Sequence, residues 1–94
     1  MASVNTTNLI CEVTNKKGLH ARAAAKIVAL SNEYESEITL SHKNKSASSQ
    51  SLIKLLTLDA PKGSKIKIEI QGIDANKAST ALTELFAAGF QELD

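Results

Sequence analysis

Apolar and polar residues alternate along NLICEVT: Leu9, Cys11 and Val13 fall on one side, and Ile10, Glu12 and Thr14 on the other. A period of two predicts a strand, Asn8–Thr14, with one buried face. Asn15, Lys16, Lys17 and Gly18 then supply a turn. ARAAAKIVALS, Ala21 to Ser31, is rich in helix formers. Its Ala24, Ile27, Val28 and Ser31 recur at helical spacing, flanked by Ala23 and Leu30. Alternation returns over Glu37–Ser41, with Ile38 and Leu40 inward. The run from His42 to Lys45 is polar turn material, and His42 is read as a turn residue in water. A short strand of small residues is expected over Lys45–Ser49. Ser51 to Leu58 (SLIKLLTL) is strongly apolar, and its period fits a short helix or a buried strand equally well. Ser51 is well placed as an N-cap, and DAPKG stops the segment at Gly63. KIKIEIQ, Lys65 to Gln71, is the clearest strand, with Ile66, Ile68 and Ile70 inward and its charges toward water. After Gly72, Asp74 can cap a last helix from Ala75 to about Gly89, with Ala78, Leu82, Leu85, Phe86 and Gly89 on one face.

The order β-α-β-β-α-β-α, with half-buried strands, implies an α+β fold: a two-layer, open-faced sandwich in which a four-stranded antiparallel sheet is covered on one face by three helices. The 94 residues make a single domain, with residues 1–7 read as a polar N-terminal extension. A net charge of +1 gives no bulk attraction to nucleic acid or to an acidic membrane. With aromatic residues at 3% there is no stacking platform for bases either. One cysteine excludes an internal disulfide, and its place in LICEV makes it a buried strand residue. One cysteine and two histidines offer no metal-ligand spacing, and no cofactor is implied. The first residues lack an apolar signal core, and no apolar run approaches membrane-spanning length. A cytoplasmic location is expected, and there is no oligomerisation signal, so a monomer is expected.

The chemistry concentrates in GLHARAAAK. Gly18 permits a sharp turn, and the helix begins just after His20. The first N–H groups of a helix lack intrahelical partners and carry partial positive charge, a ready site for an anion. That end favours a neutral imidazole, which leaves one ring nitrogen as a nucleophile. Arg22 adds a permanent cation whose planar donors suit phosphate oxygens. Together these groups can accept a phosphoryl group, a transfer that needs mostly positioning and charge stabilisation. Two plainer readings cover the same residues: His20 as a helix cap, and Arg22 as a solvated first-turn residue. No acid, metal or second base is evident to complete a hydrolytic site.

GLHARAAAKIV resembles the active-site segment of the HPr family, the histidine phosphocarriers of the bacterial phosphotransferase system, whose signature runs GLHxRPA. NKSASSQSLIKLLTLDAPKGSKIKIEIQG is similar to the rest of that pattern, so the likeness runs from Leu9 to Phe90. The alanine after the histidine, LLTLDAPKG and the ending FAAGFQELD resemble the nitrogen-related NPr branch. The resemblance implies phosphorylation of His20 on Nδ1, a phosphoryl group steadied by Arg22, and backbone donors from Ala21 and Arg22. It implies charging by an enzyme I type protein from phosphoenolpyruvate, and delivery to a histidine of an EIIA-type protein. Such a chain is an intermediate between larger enzymes more than an enzyme with its own turnover. The family's usual proline after the arginine is here Ala23, which keeps the helix, restores a donor and leaves the turn less preorganised.

Ser51 aligns with a serine phosphorylated by a dedicated kinase in some branches; its plain role is the N-cap. Leu52, Ile53 and Leu56 cannot share one narrow buried stripe. They are either ordinary exposed residues or a docking patch, with Lys54 as a rim contact to an acidic partner. Two other functions fit the same sequence. One is a carrier-derived regulatory module with a silent His20. The other is a small effector domain that binds an anion through Arg22 and the helix terminus.

Overall fold

A computed structural model of the chain describes residues 5–92. Residues 1–4, the outer part of the expected extension, and Leu93 and Asp94, which end FAAGFQELD, lie outside the described residues. Strands β1 (Asn5–Glu12), β2 (Glu37–His42), β3 (Lys45–Ser48) and β4 (Lys65–Gly72) alternate with helices α1 (Ala21–Ser31), α2 (Leu52–Leu56) and α3 (Ala75–Ala87) in the order β1-α1-β2-β3-α2-β4-α3. The four strands form one antiparallel sheet in the order β1-β4-β2-β3. This is the expected α+β open-faced sandwich.

The strand with the strictest alternation takes the most demanding position. β4 lies between β1 and β2, and Ile66, Ile68 and Ile70 are all but sealed from solvent while Lys65, Lys67 and Glu69 are exposed. Pairing aligns Leu9, Ile68, Leu40 and Ala47 in one row across the four strands. Above the sheet, α1 contributes Ala23, Ala24 and Ile27, and α3 contributes Ala78, Leu82, Leu85 and Phe86. Each large side chain buried in this way stabilises the fold by roughly 1.5–3 kcal/mol before entropy is counted. Cys11 is buried as expected, and burial pushes its thiol pKa up.

The boundaries differ from the sequence reading in three informative places, and one run whose period left two readings open is settled. β1 begins at Asn5, so Asn5–Thr7, expected in the extension, pair with Ile70–Gly72 instead. Backbone pairing to a long partner continues the strand past the point where apolar alternation stops. His42 is not a turn residue in water: it closes β2, is 8% exposed, and its Nδ1 donates to the carbonyl of Leu58 at 2.9 Å. The inward set Ile38, Leu40 runs on by one more step of two, and the hydrogen bond satisfies the buried ring. The ambiguous SLIKLLTL run is helical, with Leu55 and Leu58 buried and Ser51 Oγ accepting from Lys54 N at 3.3 Å as the cap. Finally, α3 stops at Ala87, and Gly89, Phe90 and Gln91 all take left-handed φ (59°, 58° and 63°), which turns the chain back on itself.

Asp74 occupies the N-cap position of α3 yet makes no side-chain cap bond. Its carboxylate instead accepts from Ser36 Oγ and from Glu35 N (2.8 Å), pinning the α1–β2 loop to the β4–α3 turn. These bonds, with Ser36 the larger cause, hold its pKa below the ordinary carboxylate value. A lowered folded-state pKa contributes stability that is complete above the unfolded pKa of about 4 and is lost as pH falls through the lower folded value. Asp74→Asn should therefore flatten the acid side of the stability curve while changing little of its shape above about pH 5. Urea denaturation at a series of pH values measures this; wild-type and variant curves that stay parallel below that pH would refute it.

Candidate functional site

The site is assembled where β1 runs into α1. Val13 N donates to Ser64 O (2.8 Å) and Gly63 N to Val13 O (2.7 Å), so the chain leaving β1 is clamped to the turn before β4. Gly18 follows at φ 71°, with Leu19 N donating to Ala60 O at 2.9 Å and Leu19 buried. His20 is then left at the N-cap of α1 in extended conformation (φ −87°, ψ −176°). Its backbone carbonyl accepts the first helical bond, from Ala24 N at 2.9 Å. Its ring Nδ1 accepts from Arg22 N at 3.2 Å, so the plain capping role is realised.

The other ring nitrogen has a partner that the sequence reading missed. Nε2 is hydrogen-bonded to Glu92 Oε2, and the Glu92 side chain is 4% exposed against 26% for His20. Glu92 arrives through the left-handed turn Gly89–Gln91, with Phe90 fully buried and Lys26 Nζ donating to Phe90 O. Asn15, also buried, donates from Nδ2 to Glu92 Oε1 (2.9 Å) and to Gly18 O (2.7 Å). No acid is evident for His20 in the sequence, and the fold supplies one in Glu92. Nothing in residues 85–92 carried a motif for it, because the contact joins positions 72 apart in sequence.

Glu92 is held ionised. Its pKa lies below the ordinary glutamate value, first because Asn15 donates to it, then through the bond and charge of His20 and the charge of Arg22, against an opposing cost of burial. An ionised carboxylate only accepts and a backbone N–H only donates, and this fixes the ring. The Nε2 atom carries the proton and Nδ1 presents its lone pair at the helix N-terminus.

The other expected site residues divide into two groups. Arg22 and Ala21 are exposed on the first turn of α1, and Ala23 beside them is buried. Ser51, Leu52, Ile53, Lys54 and Leu56 lie on or next to α2, which packs against α1. Leu52, Ile53 and Leu56 remain 39%, 75% and 38% exposed, so α2 buries only Leu55 and leaves its other apolar residues facing outward. Among the described residues, no three histidine, cysteine, aspartate or glutamate side chains gather as metal ligands, and no helix is long and apolar enough to cross a membrane.

A small α+β sandwich that sets a histidine ring nitrogen and an arginine at a helix N-terminus has the elements of an anion-binding site. Comparison with known proteins gives the class its name. The family model for the PTS HPr component phosphorylation site matches residues 9–88. The phosphocarrier protein HPr of Xylella fastidiosa is 42% identical over 85% of this chain and 90% of its own length. The phosphocarrier protein NPr of Proteus mirabilis is 41% identical over 85% and 90%. A crystal structure of HPr from Thermoanaerobacter tengcongensis superposes with a TM-score of 0.87 at 31% identity, covering 94% of this chain and 99% of that one. The chain belongs to the HPr/NPr phosphocarrier family of the phosphotransferase system, and its role is that of a phosphotransfer carrier within that system.

Proposed function

We propose that His20 Nδ1 is the atom that carries the phosphoryl group, received from an enzyme I type protein charged by phosphoenolpyruvate and passed to a histidine of an EIIA-type protein. The observation that carries this reading is the ring's orientation: its proton-free nitrogen faces the N-terminus of α1, against Arg22 N. An incoming phosphoryl group takes the Nδ1 lone pair and displaces that long hydrogen bond. The freed N–H of Arg22, with that of Ala21, then turns to the phosphoryl oxygens. Arg22, exposed on the first turn of α1, supplies the cation. Ala23 in place of proline leaves the adjacent N–H available at the same helix end.

Leu52, Ile53 and Leu56 form the docking face for these partners, with Lys54 at its rim facing acidic side chains. Ser51 serves as the helix cap, and its hydroxyl is also the candidate regulatory phosphorylation position; a phosphate there would repel an acidic partner. The whole chain acts as one cytoplasmic, monomeric domain.

Intact mass after incubation with phosphoenolpyruvate, magnesium and a purified enzyme I of either branch tests the central step. The expected result is an acid-labile gain of about 80 Da that His20→Ala abolishes. A folded protein that gains nothing from enzymes of both branches would instead favour the regulatory module with a silent His20.

A further inference from the structure

Glu92 does more than occupy space beside the ring. We propose that Glu92 is a positioning residue that holds the His20 ring as an Nε2–H imidazole and so sets how readily the phosphoryl group leaves; this rests on the reading of His20 as carrier. Three observations combine. The carboxylate is nearly buried and bonded to Nε2. Asn15 fixes its second oxygen, so it cannot rotate away. A fully buried Phe90 and the Lys26 bond anchor the turn that delivers it.

The chemistry follows from proton accounting. When Nδ1 carries the phosphoryl group and Nε2 keeps its proton, the ring is a cation, and the Glu92 carboxylate faces it directly. On unloading, the acceptor's nitrogen lone pair forms a new bond to phosphorus as the P–Nδ1 bond breaks. The bonding pair returns to Nδ1, and a neutral imidazole departs with Nε2–H in place. If the loaded ring first loses that proton to water, the departing group is an imidazolate anion, a far worse leaving group. Glu92 keeps the ring in the productive form. The other charged or polar groups acting on the Glu92 carboxylate are the Arg22 cation on α1 and the neutral Asn15 amide in the β1–α1 loop; Lys26, further along α1, is engaged with Phe90 O. Arg22 opposes a cationic ring, so Glu92 is the group that sustains it.

The test uses wild type, Glu92→Gln and Glu92→Ala. Glutamine keeps the shape and one acceptor oxygen for Nε2–H but sets an NH2 where an oxygen accepts from Asn15, so it removes the charge and that bond while leaving the packing volume intact. Each protein is loaded with phosphoenolpyruvate and a trace of enzyme I, freed of that enzyme, and followed by phosphorus NMR for P–N cleavage between pH 6 and 9. We expect the cleavage profile of Glu92→Gln to move toward lower pH by about one unit, with cleavage near pH 8 slowed roughly tenfold. Ring nitrogen NMR of unloaded Glu92→Ala should show mixed tautomers at His20, where wild type shows Nε2–H alone. Wild type that loads, with variants whose pH profiles and tautomers match it, would overturn the role of Glu92 and leave the carrier reading intact. Wild type that never loads would overturn both.

Discussion

Phe90→Ala should lower the melting temperature by roughly 12 °C or more, following a loss of about 3–5 kcal/mol for truncating a buried phenylalanine. Phe90 is fully buried and meets Phe86 edge to face with ring centroids 4.9 Å apart. Its backbone sits at φ 58°, a conformation that a non-glycine residue holds only when something compensates. The buried ring is that compensation. Alanine keeps the backbone cost and loses the anchor, so the turn that brings Glu92 to His20 is released together with the core contact. Thermal unfolding followed by circular dichroism gives the answer, and a fall under about 5 °C would mean that the turn is held by its hydrogen bonds alone.

Gly18→Ala should damage the site severely without altering any side chain that takes part in it. A methyl group there would sit 2.7 Å from Ala60 O and 2.9 Å from Pro61 Cα, both backbone atoms, on a residue at φ 71°. The left-handed conformation alone costs about 1–2 kcal/mol for an alanine. The clash adds to this by forcing apart the strand of chain on which Leu19 N meets Ala60 O. His20 is the next residue, and a displacement near 1 Å can cost on the order of a hundredfold in rate. Gly63→Ala is the matched control, since Gly63 has φ 92° but no heavy atom within 4 Å of the added carbon. Urea denaturation and the initial rate of phosphoryl uptake, measured on both, separate the two contributions. Equal losses in the two variants would show that backbone conformation accounts for everything and that the approach to Ala60 is unimportant.

Local chemistry was legible from sequence wherever one element determined its own surroundings. KIKIEIQ could be read as the strand with one buried face because every second residue is isoleucine, and the pairing on both sides bears that out. ARAAAKIVALS was read to its observed ends because strong propensity and a capping histidine agree. SLIKLLTL was ambiguous because it is too short for its period to decide, and only the cap bond to Ser51 and the burial of Leu55 settle it. Asp74 had the right address for a cap, but its carboxylate is claimed by a loop 38 residues away. His42 was misplaced by its polar neighbours when its spacing from Leu40 pointed inward. Glu92 was invisible for a different reason. Its partner lies at the far end of the chain, and no local pattern encodes a contact made by three successive left-handed residues.

The position of β4 has a consequence for how the molecule comes into being. A sheet ordered β1-β4-β2-β3 leaves its first strand without a neighbour until residues 65–72 have been synthesised, because the partner of β1 is the last strand made. Closing so large a loop delays the productive contacts and slows folding relative to a domain built from local pairings. On the ribosome the GLHAR segment therefore emerges early but has nothing to fold onto. The histidine acquires its clamped turn only when the segment through Ser64 is in place, and its carboxylate partner later still. A nascent chain thus displays the motif well before it can display the site.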